Sequence, residues 1–215
     1  MTRVKICGLT ELEDAERATD LGAWALGMIF WSGSPRECSL EAAEDIAAAL
    51  RRRAELVGVF VNAKLDEVAS VADRCSLSIL QLHGDEGPAY CSEAARRTGC
   101  RVMKAVRVRD ASSVTGLIRY PVDFHLLDAY VPGAQGGTGE RFNWDLARLH
   151  RGETPVVLSG GLEPDNVADA IAQARPFAVD TASGTEAAPG RKDPAKLTAF
   201  FRAVEAADVR AGAPA

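Results

Sequence analysis

The sequence predicts a single-domain (β/α)8 TIM barrel. Three observations carry that reading. The chain has 215 residues, close to the lower edge of the roughly 200 or more that an eight-unit barrel needs. Short apolar or β-branched runs alternate almost without a break with alanine-rich segments of helical period. The runs number eight, and each ends in a polar or glycine-rich turn.

In order, the strand candidates are residues 4–7, 24–30, 56–61, 77–82, 101–106, 122–127, 156–158 and 177–179. Helix candidates between and after them are 11–21, 40–53, 65–74, 88–98, 143–149, 164–174 and 194–207. Ser39 stands as N-cap before Ala42, Ala43, Ile46 and Leu50, which share one helix face. Pro88, Pro164 and Pro194 open three of the segments, where the missing N–H costs nothing. Strands joined by single helices pair in parallel through right-handed crossovers, and eight equal units in one domain favour closure over an open sheet. A doubly wound sheet is the competing architecture, but no GxGxxG follows the first run. Residues 1–207 are read as the barrel. Residues 208–215, small and polar with Gly and Pro, are expected to form a disordered tail.

Composition narrows the class. With 47% hydrophobic and 26% charged residues the chain can bury one substantial core. A net charge of −5 with dispersed arginines gives no nucleic-acid footprint. Arg51 to Arg53, the one basic cluster, ends a helical stretch where cations complement the dipole. Cys7, Cys38, Cys75, Cys91 and Cys100 form an odd set without a CxxC pair, so neither a disulfide framework nor a zinc site is indicated. Nor do the three scattered histidines form a metal cage. No stretch approaches the ~18 apolar residues of a membrane span, and no export signal opens the chain. A cytoplasmic monomer needing neither metal nor cofactor is expected.

Chemistry in this fold sits at the carboxyl ends of the strands. The first run ends in Cys7-Gly8, the second leads to Ser34-Pro35-Arg36, the fourth to Gln81-Leu82-His83-Gly84, and the sixth to Asp128. After the last two come Ser159-Gly160-Gly161-Leu162 and Asp180-Thr181-Ala182-Ser183-Gly184-Thr185. Paired glycine turns bring backbone N–H groups close to an anion, which makes Gly160, Gly161, Ser183 and Gly184 a candidate phosphate site. The alternative is that these glycines only permit tight turns.

A thiol on the first strand and a carboxyl on the sixth could serve opposite faces of one small substrate. Cys75, Cys91 and Cys100 are instead read as inert apolar side chains. Without a partner across the mouth, Asp128 would merely cap its loop. Arg36 offers a fork for a substrate carboxylate, or is an ordinary surface arginine. His83 lines the same mouth, or is a local hydrogen-bonding group. His125 and His150 receive no role.

Val4-Lys5-Ile6-Cys7-Gly8-Leu9-Thr10, Ser34-Pro35-Arg36, Gly58-Val59-Phe60-Val61-Asn62, Leu80-Gln81-Leu82-His83-Gly84, Leu126-Leu127-Asp128, Gly136-Gly137-Thr138-Gly139 and Leu158-Ser159-Gly160-Gly161-Leu162 together resemble the phosphoribosylanthranilate isomerase family. The likeness spans almost the whole chain. It implies an Amadori rearrangement of a phosphosugar in tryptophan biosynthesis. Cys7 would be the general base, Asp128 the general acid, Arg36 the ligand of the anthranilate carboxylate, and the last two turns the phosphate cradle. Ala182 stands where the family has serine, which removes one side-chain contact to phosphate. The segment 130–135 is longer than usual, and the Gly136–Gly139 stretch reads as a lid. Lys5, two residues before Cys7 on the same side of the strand, is a candidate for lowering the thiol's ordinary pKa of about 8.5, as are helix dipoles at the mouth. Two other readings stand beside this one. A sister isomerase of histidine biosynthesis would want an aspartate in place of Cys7 and a second anion cradle in the first half of the chain. A noncatalytic phosphate-sensing barrel would need neither Cys7 nor Asp128.

Overall fold

The computed structural model describes residues 1–129 and 144–212. Eight parallel strands close into a barrel in chain order. They are β1 (Arg3–Cys7), β2 (Ala25–Ile29), β3 (Glu55–Phe60), β4 (Ile79–Leu82), β5 (Arg101–Val108), β6 (Phe124–Ala129), β7 (Val156–Leu158) and β8 (Ala178–Thr181). Around them run α1 (Leu12–Asp20), α2 (Leu40–Leu50), α3 (Leu65–Arg74), α4 (Pro88–Thr98), α5 (Ala111–Thr115), α6 (Val167–Ala174) and α7 (Pro194–Gly212), with a 3-10 turn over Trp144–Leu149. A hairpin of β9 (Glu186–Ala188) and β10 (Arg191–Lys192) follows β8.

Side chains alternate across each strand, so two apolar sets form. Ala25, Val57, Val59, Ile79, Met103, Ala105, Leu126 and Val157 fill the barrel interior together with Cys7. Val4, Ile6, Leu26, Met28, Leu80, Leu127 and Val179 face outward into the shell of helices. The amino-terminal end of the barrel is closed by rings. Trp24 lies 5.5 Å from Phe124 and 5.3 Å from Phe177, while those two phenylalanines are 5.6 Å apart. Arg3 stacks over Phe177 at 4.4 Å and Arg101 over Phe124 at 5.6 Å.

Side-chain caps set the start of two helices. Ser39 accepts from the Ala42 N–H and starts α2 as its sequence position predicts. Between β5 and β6 lies a helix that apolar periodicity does not disclose: Asp110 accepts from the Ser113 N–H, and five residues of α5 run into a 3-10 turn, Gly116–Arg119. The sixth helix begins at Val167 rather than at Pro164, because the Asn166 carboxamide takes the Glu163 N–H and donates to the Gly161 carbonyl, holding the preceding residues as a turn. At the carboxyl end α7 continues to Gly212, into the stretch expected to be a disordered tail. Asp208 there accepts from both the backbone N–H and the hydroxyl of Thr2, which fastens the last turns to the start of β1. The expected lid at Gly136–Gly139 and the long segment 130–135 lie outside the described residues.

His125 points from β6 into the shell and sets its Nδ1 2.8 Å from His150 Nε2. Burial, aided by the neighbouring His150, pushes His125 down to about 4 from its ordinary 6.5, and burial lowers His150 as well. Both rings therefore fold neutral, and the unfolded chain binds more protons below its own pKa. The stabilisation is whole above pH 6.5 and drains as pH falls toward about 4. Melting temperatures measured across that range should decline on acidification, and His125→Phe should flatten the decline. An unchanged slope in the variant would remove the pair from the acid limb of stability.

Candidate active site

At the carboxyl end of β1, Cys7 turns inward, two residues above Lys5. Lys5 is fully buried, and its ammonium donates to Asp180 Oδ1 at 2.8 Å, from β1 to β8, where the two residues are also register partners. Asp180 Oδ2 accepts from the Ser159 hydroxyl at 3.1 Å. Gly27 on β2 makes the room: a Cβ there would lie 2.8 Å from Cys7 Sγ and 3.0 Å from Lys5 Nζ. The ammonium thus reaches thiol and carboxylate alike. Burial pushes the Cys7 thiol up, and Asp180 adds to that, while Lys5 and Lys192 pull it down. Burial works against the charged form of Lys5 too, but Asp180 and Cys7 together hold it above its ordinary value.

Asp128 sits in the last turn of β6, buried, with Oδ1 accepting from the Ala129 N–H at 2.9 Å. Its Oδ2 meets His83 Nε2 at 3.2 Å, and Gln81 Nε2 lies 2.9 Å from His83 Nδ1. With the amide donating to Nδ1, the imidazole carries its proton on Nε2 and gives it to Asp128. Both ring nitrogens of His83 are thus within hydrogen-bond distance of protein partners, Gln81 and Asp128. Its own backbone is pinned in turn. Lys104 Nζ donates to the carbonyls of Leu82 and Gly84 at 3.1 and 2.7 Å and to Glu86 Oε2 at 2.8 Å. Glu86 takes the N–H groups of Gly84 and Asn62.

Arg36 is not an ordinary surface arginine. Its guanidinium side chain is only 11% exposed. Nε donates to Glu186 Oε1 at 2.8 Å and Nη2 to Oε2 at 2.8 Å. The fork expected to await a substrate is therefore half occupied, and the Nη1/Nη2 edge is what remains. Glu186 lies on β9, and β10 brings Lys192, whose Nζ donates to the carbonyls of Cys7 and Ala182 at 2.7 and 3.0 Å and to Glu186 Oε1 at 3.2 Å. Burial favours the neutral form of both Glu186 and Lys192. For Glu186 the contacts with Arg36 and Lys192 outweigh it and hold the carboxyl below its usual range; for Lys192 burial prevails and lowers the ammonium.

The two glycine turns meet. Gly160 and Gly161 both have positive φ, 89° and 63°. A Cβ on Gly160 would stand 2.5 Å from the Ala129 nitrogen, and one on Gly184 2.0 Å from the Leu162 carbonyl oxygen. Thr181 Oγ1 donates to that same carbonyl at 2.8 Å. Tight packing thus accounts for glycine at both positions, yet the N–H groups of Gly160 and Gly161 donate to no backbone acceptor among the described residues. Ser183 and Gly184 also border a groove of about 440 Å³ with Glu163, Asp165 and Lys196.

Every site residue named from the sequence lies at this one end of the barrel. The reading missed Asp180, Glu186, Lys192, Gln81 and Asn166. Asp180 and Gln81 stand at strand ends within the quoted motifs, so their position was a signal; Glu186 and Lys192 belong to a hairpin without one. Among the described residues no group of three or more His, Cys, Asp or Glu side chains is gathered to hold a metal ion.

A family model described as N-(5'phosphoribosyl)anthranilate (PRA) isomerase matches residues 4–203. The N-(5'-phosphoribosyl)anthranilate isomerase of Citrifermentans bemidjiense is 54% identical over 197 residues, 92% of this chain and 94% of that one. The crystal structure of phosphoribosyl anthranilate isomerase from Thermotoga maritima superposes with a TM-score of 0.85 at 39% identity, covering 96% of this chain and all (100%) of the other. A third, at 38% identity and TM-score 0.84, covers 96% and 100% of the two chains and is a complex with reduced 1-(o-carboxyphenylamino)-1-deoxyribulose 5-phosphate.

Breaking the pair across β1 and β8 should be costly. Lys5→Met leaves the Asp180 carboxylate buried without its cation, a loss of ~3–5 kcal/mol in denaturant unfolding. Adding Asp180→Asn should restore part of it. Strictly additive losses would show that the two charges do not act together.

Proposed function

The chain belongs to the N-(5'-phosphoribosyl)anthranilate isomerase family, and on that premise we propose how its residues divide the work. The enzyme is an isomerase of tryptophan biosynthesis that converts N-(5'-phosphoribosyl)anthranilate to 1-(o-carboxyphenylamino)-1-deoxyribulose 5-phosphate. Within one substrate molecule C2′ is oxidised and C1′ reduced, so the reaction is an aldose–ketose conversion of the intramolecular oxidoreductase type. One observation carries the assignment of residues: a buried thiol beside a lysine, a buried carboxyl beside a histidine and two glycine turns that meet all stand at the same end of the barrel.

Asp128 is the general acid. It delivers a proton to the furanose ring oxygen, and the C1′–O bond opens to the iminium. Behind it, His83 holds Asp128 Oδ2 and Gln81 holds His83, which fixes the direction of the carboxyl. Cys7 is the general base. Its thiolate removes the C2′ proton, and the enolamine so formed becomes the ketone when C1′ takes a proton and O2′ loses one. Lys5 stands where a thiolate would need a cation.

Phosphate is assigned to the N–H groups of Gly160, Gly161, Ser183 and Gly184, and the anthranilate carboxylate to the free edge of Arg36. The ligand bound in the structural relative carries both anions. Residues 1–207 form the catalytic domain in this reading. The protein is assigned to the cytoplasm, in keeping with five free cysteines. It is read as a monomer, with Met1, Ile118 and Val209 as the exposed large apolar side chains among the described residues.

Loss of either proton-transfer group should lower kcat by roughly 10²–10⁴-fold. Cys7→Ala should slow C2′ proton removal, seen as a full deuterium isotope effect at C2′, whereas Asp128→Asn should stall ring opening. Turnover of Cys7→Ala near the wild-type rate would sink the base assignment. For the phosphate site, Gly161→Asp brings bulk and negative charge against an anion and should raise KM; an unchanged KM in a folded variant would move the phosphate elsewhere.

A further inference from the structure

Arg36 meets a glutamate that serves nothing in the reaction as described above. Glu186 is buried, its side chain 5% exposed, and grips the Nε/Nη2 edge of the guanidinium through both carboxylate oxygens. It also accepts from Lys192 Nζ and, at 3.3 Å, from the Gly190 N–H. Lys196 donates to its backbone carbonyl at 2.8 Å. Such a carboxylate cannot swing.

Two cations thus share one carboxylate. Asp14 accepts from the backbone N–H of Lys192. Glu11 pairs with Arg191. Arg36, Glu186 and Lys192 therefore carry one positive charge in excess, with one guanidinium edge that meets no acceptor among the described residues. That edge accepts a planar, bidentate anion. Glu186 also follows directly on the turn Ser183–Thr185, so Ser183 and Gly184, whose N–H groups are assigned to phosphate, stand three and two positions before the carboxylate that aims Arg36.

We propose that Glu186 is the specificity-determining positioning residue of this enzyme: it fixes which edge of Arg36 faces the substrate and so makes the carboxylate ortho to the amine a requirement. The proposal rests on the assignment of the substrate carboxylate to Arg36. Without Glu186 the guanidinium keeps its charge but loses its orientation, and a bidentate contact becomes a loose one.

The test compares kcat/KM on N-(5'-phosphoribosyl)anthranilate and on the matching aniline compound, which lacks the carboxylate, for wild type, Arg36→Met, Glu186→Gln and Glu186→Asp. Glu186→Gln should lose about 10- to 100-fold on the anthranilate substrate, the size of a hydrogen-bonded contact to a charged group, mainly through KM. On the aniline compound it should lose little. Glu186→Asp keeps the charge, shortens the reach and should lose discrimination in the same sense but to a smaller extent, which covers the case that the glutamine variant folds poorly. Equal loss on both substrates, or a lower KM for anthranilate as pure charge attraction requires, overturns the proposal. If Arg36→Met retains full discrimination, the carboxylate assignment itself falls. If Arg36→Met loses discrimination while both Glu186 variants keep it, only the role of Glu186 falls.

Discussion

Closing the barrel places Lys5 of the first strand beside Asp180 of the last, and the rest of the site is arranged around that buried pair. Two ions removed from water interact strongly only when their remaining hydrogen-bonding capacity is met, and an apolar pair of the same size would often stabilise the fold as well or better. Here Asp180 is met by Ser159 from β7, and Lys5 also reaches the thiol of Cys7. The seam that completes the cylinder is therefore also the place where the thiol's charge is governed. Gly27 on the neighbouring strand leaves the space that both groups occupy.

The loops above the strands are tied to one another more than to their own helices. Thr181 holds the Leu162 carbonyl, Asn166 holds Gly161, Lys104 holds the residues on either side of His83, and Lys192 reaches the carbonyl of Cys7. Reaction centres act by orientation fixed before the substrate arrives, and these ties supply it without a lattice of charged side chains at the surface. Most of the ties end on backbone carbonyls. The chain thereby positions turns, and the turns position N–H groups and side chains.

What could be read from the sequence follows from range. Strand and helix alternation is a local pattern, so all eight strands were legible, as were Cys7, Arg36, Asp128 and the glycine turns at strand ends. Asp128 itself belongs to β6, one residue beyond the predicted limit, because Arg107 of β5 is its register partner. The helix α5 was illegible since five residues of mostly Ser, Thr and Ala show no apolar period. The hairpin Glu186–Lys192 lacks the alternation that marks strands; tertiary contacts at Thr10, Asp14 and Arg36 make it. Partners 150 residues apart, such as Arg36 and Glu186, leave no trace in local spacing, and so the arginine was expected free. The carboxyl end looked disordered by composition, and its helix is tied by Asp208 to Thr2, a partner more than 200 positions away that local composition does not show.

The ring of Trp24, Phe124 and Phe177, with Arg3 and Arg101 laid over it, stops the far end of the cylinder. With side chains filling the interior and rings covering that end, substrate and product use the same opposite face, so product has to leave before the next molecule can bind. Product that lingers competes directly with substrate for the same atoms, and flux then depends on how quickly a neighbouring enzyme draws that product from the surrounding solution.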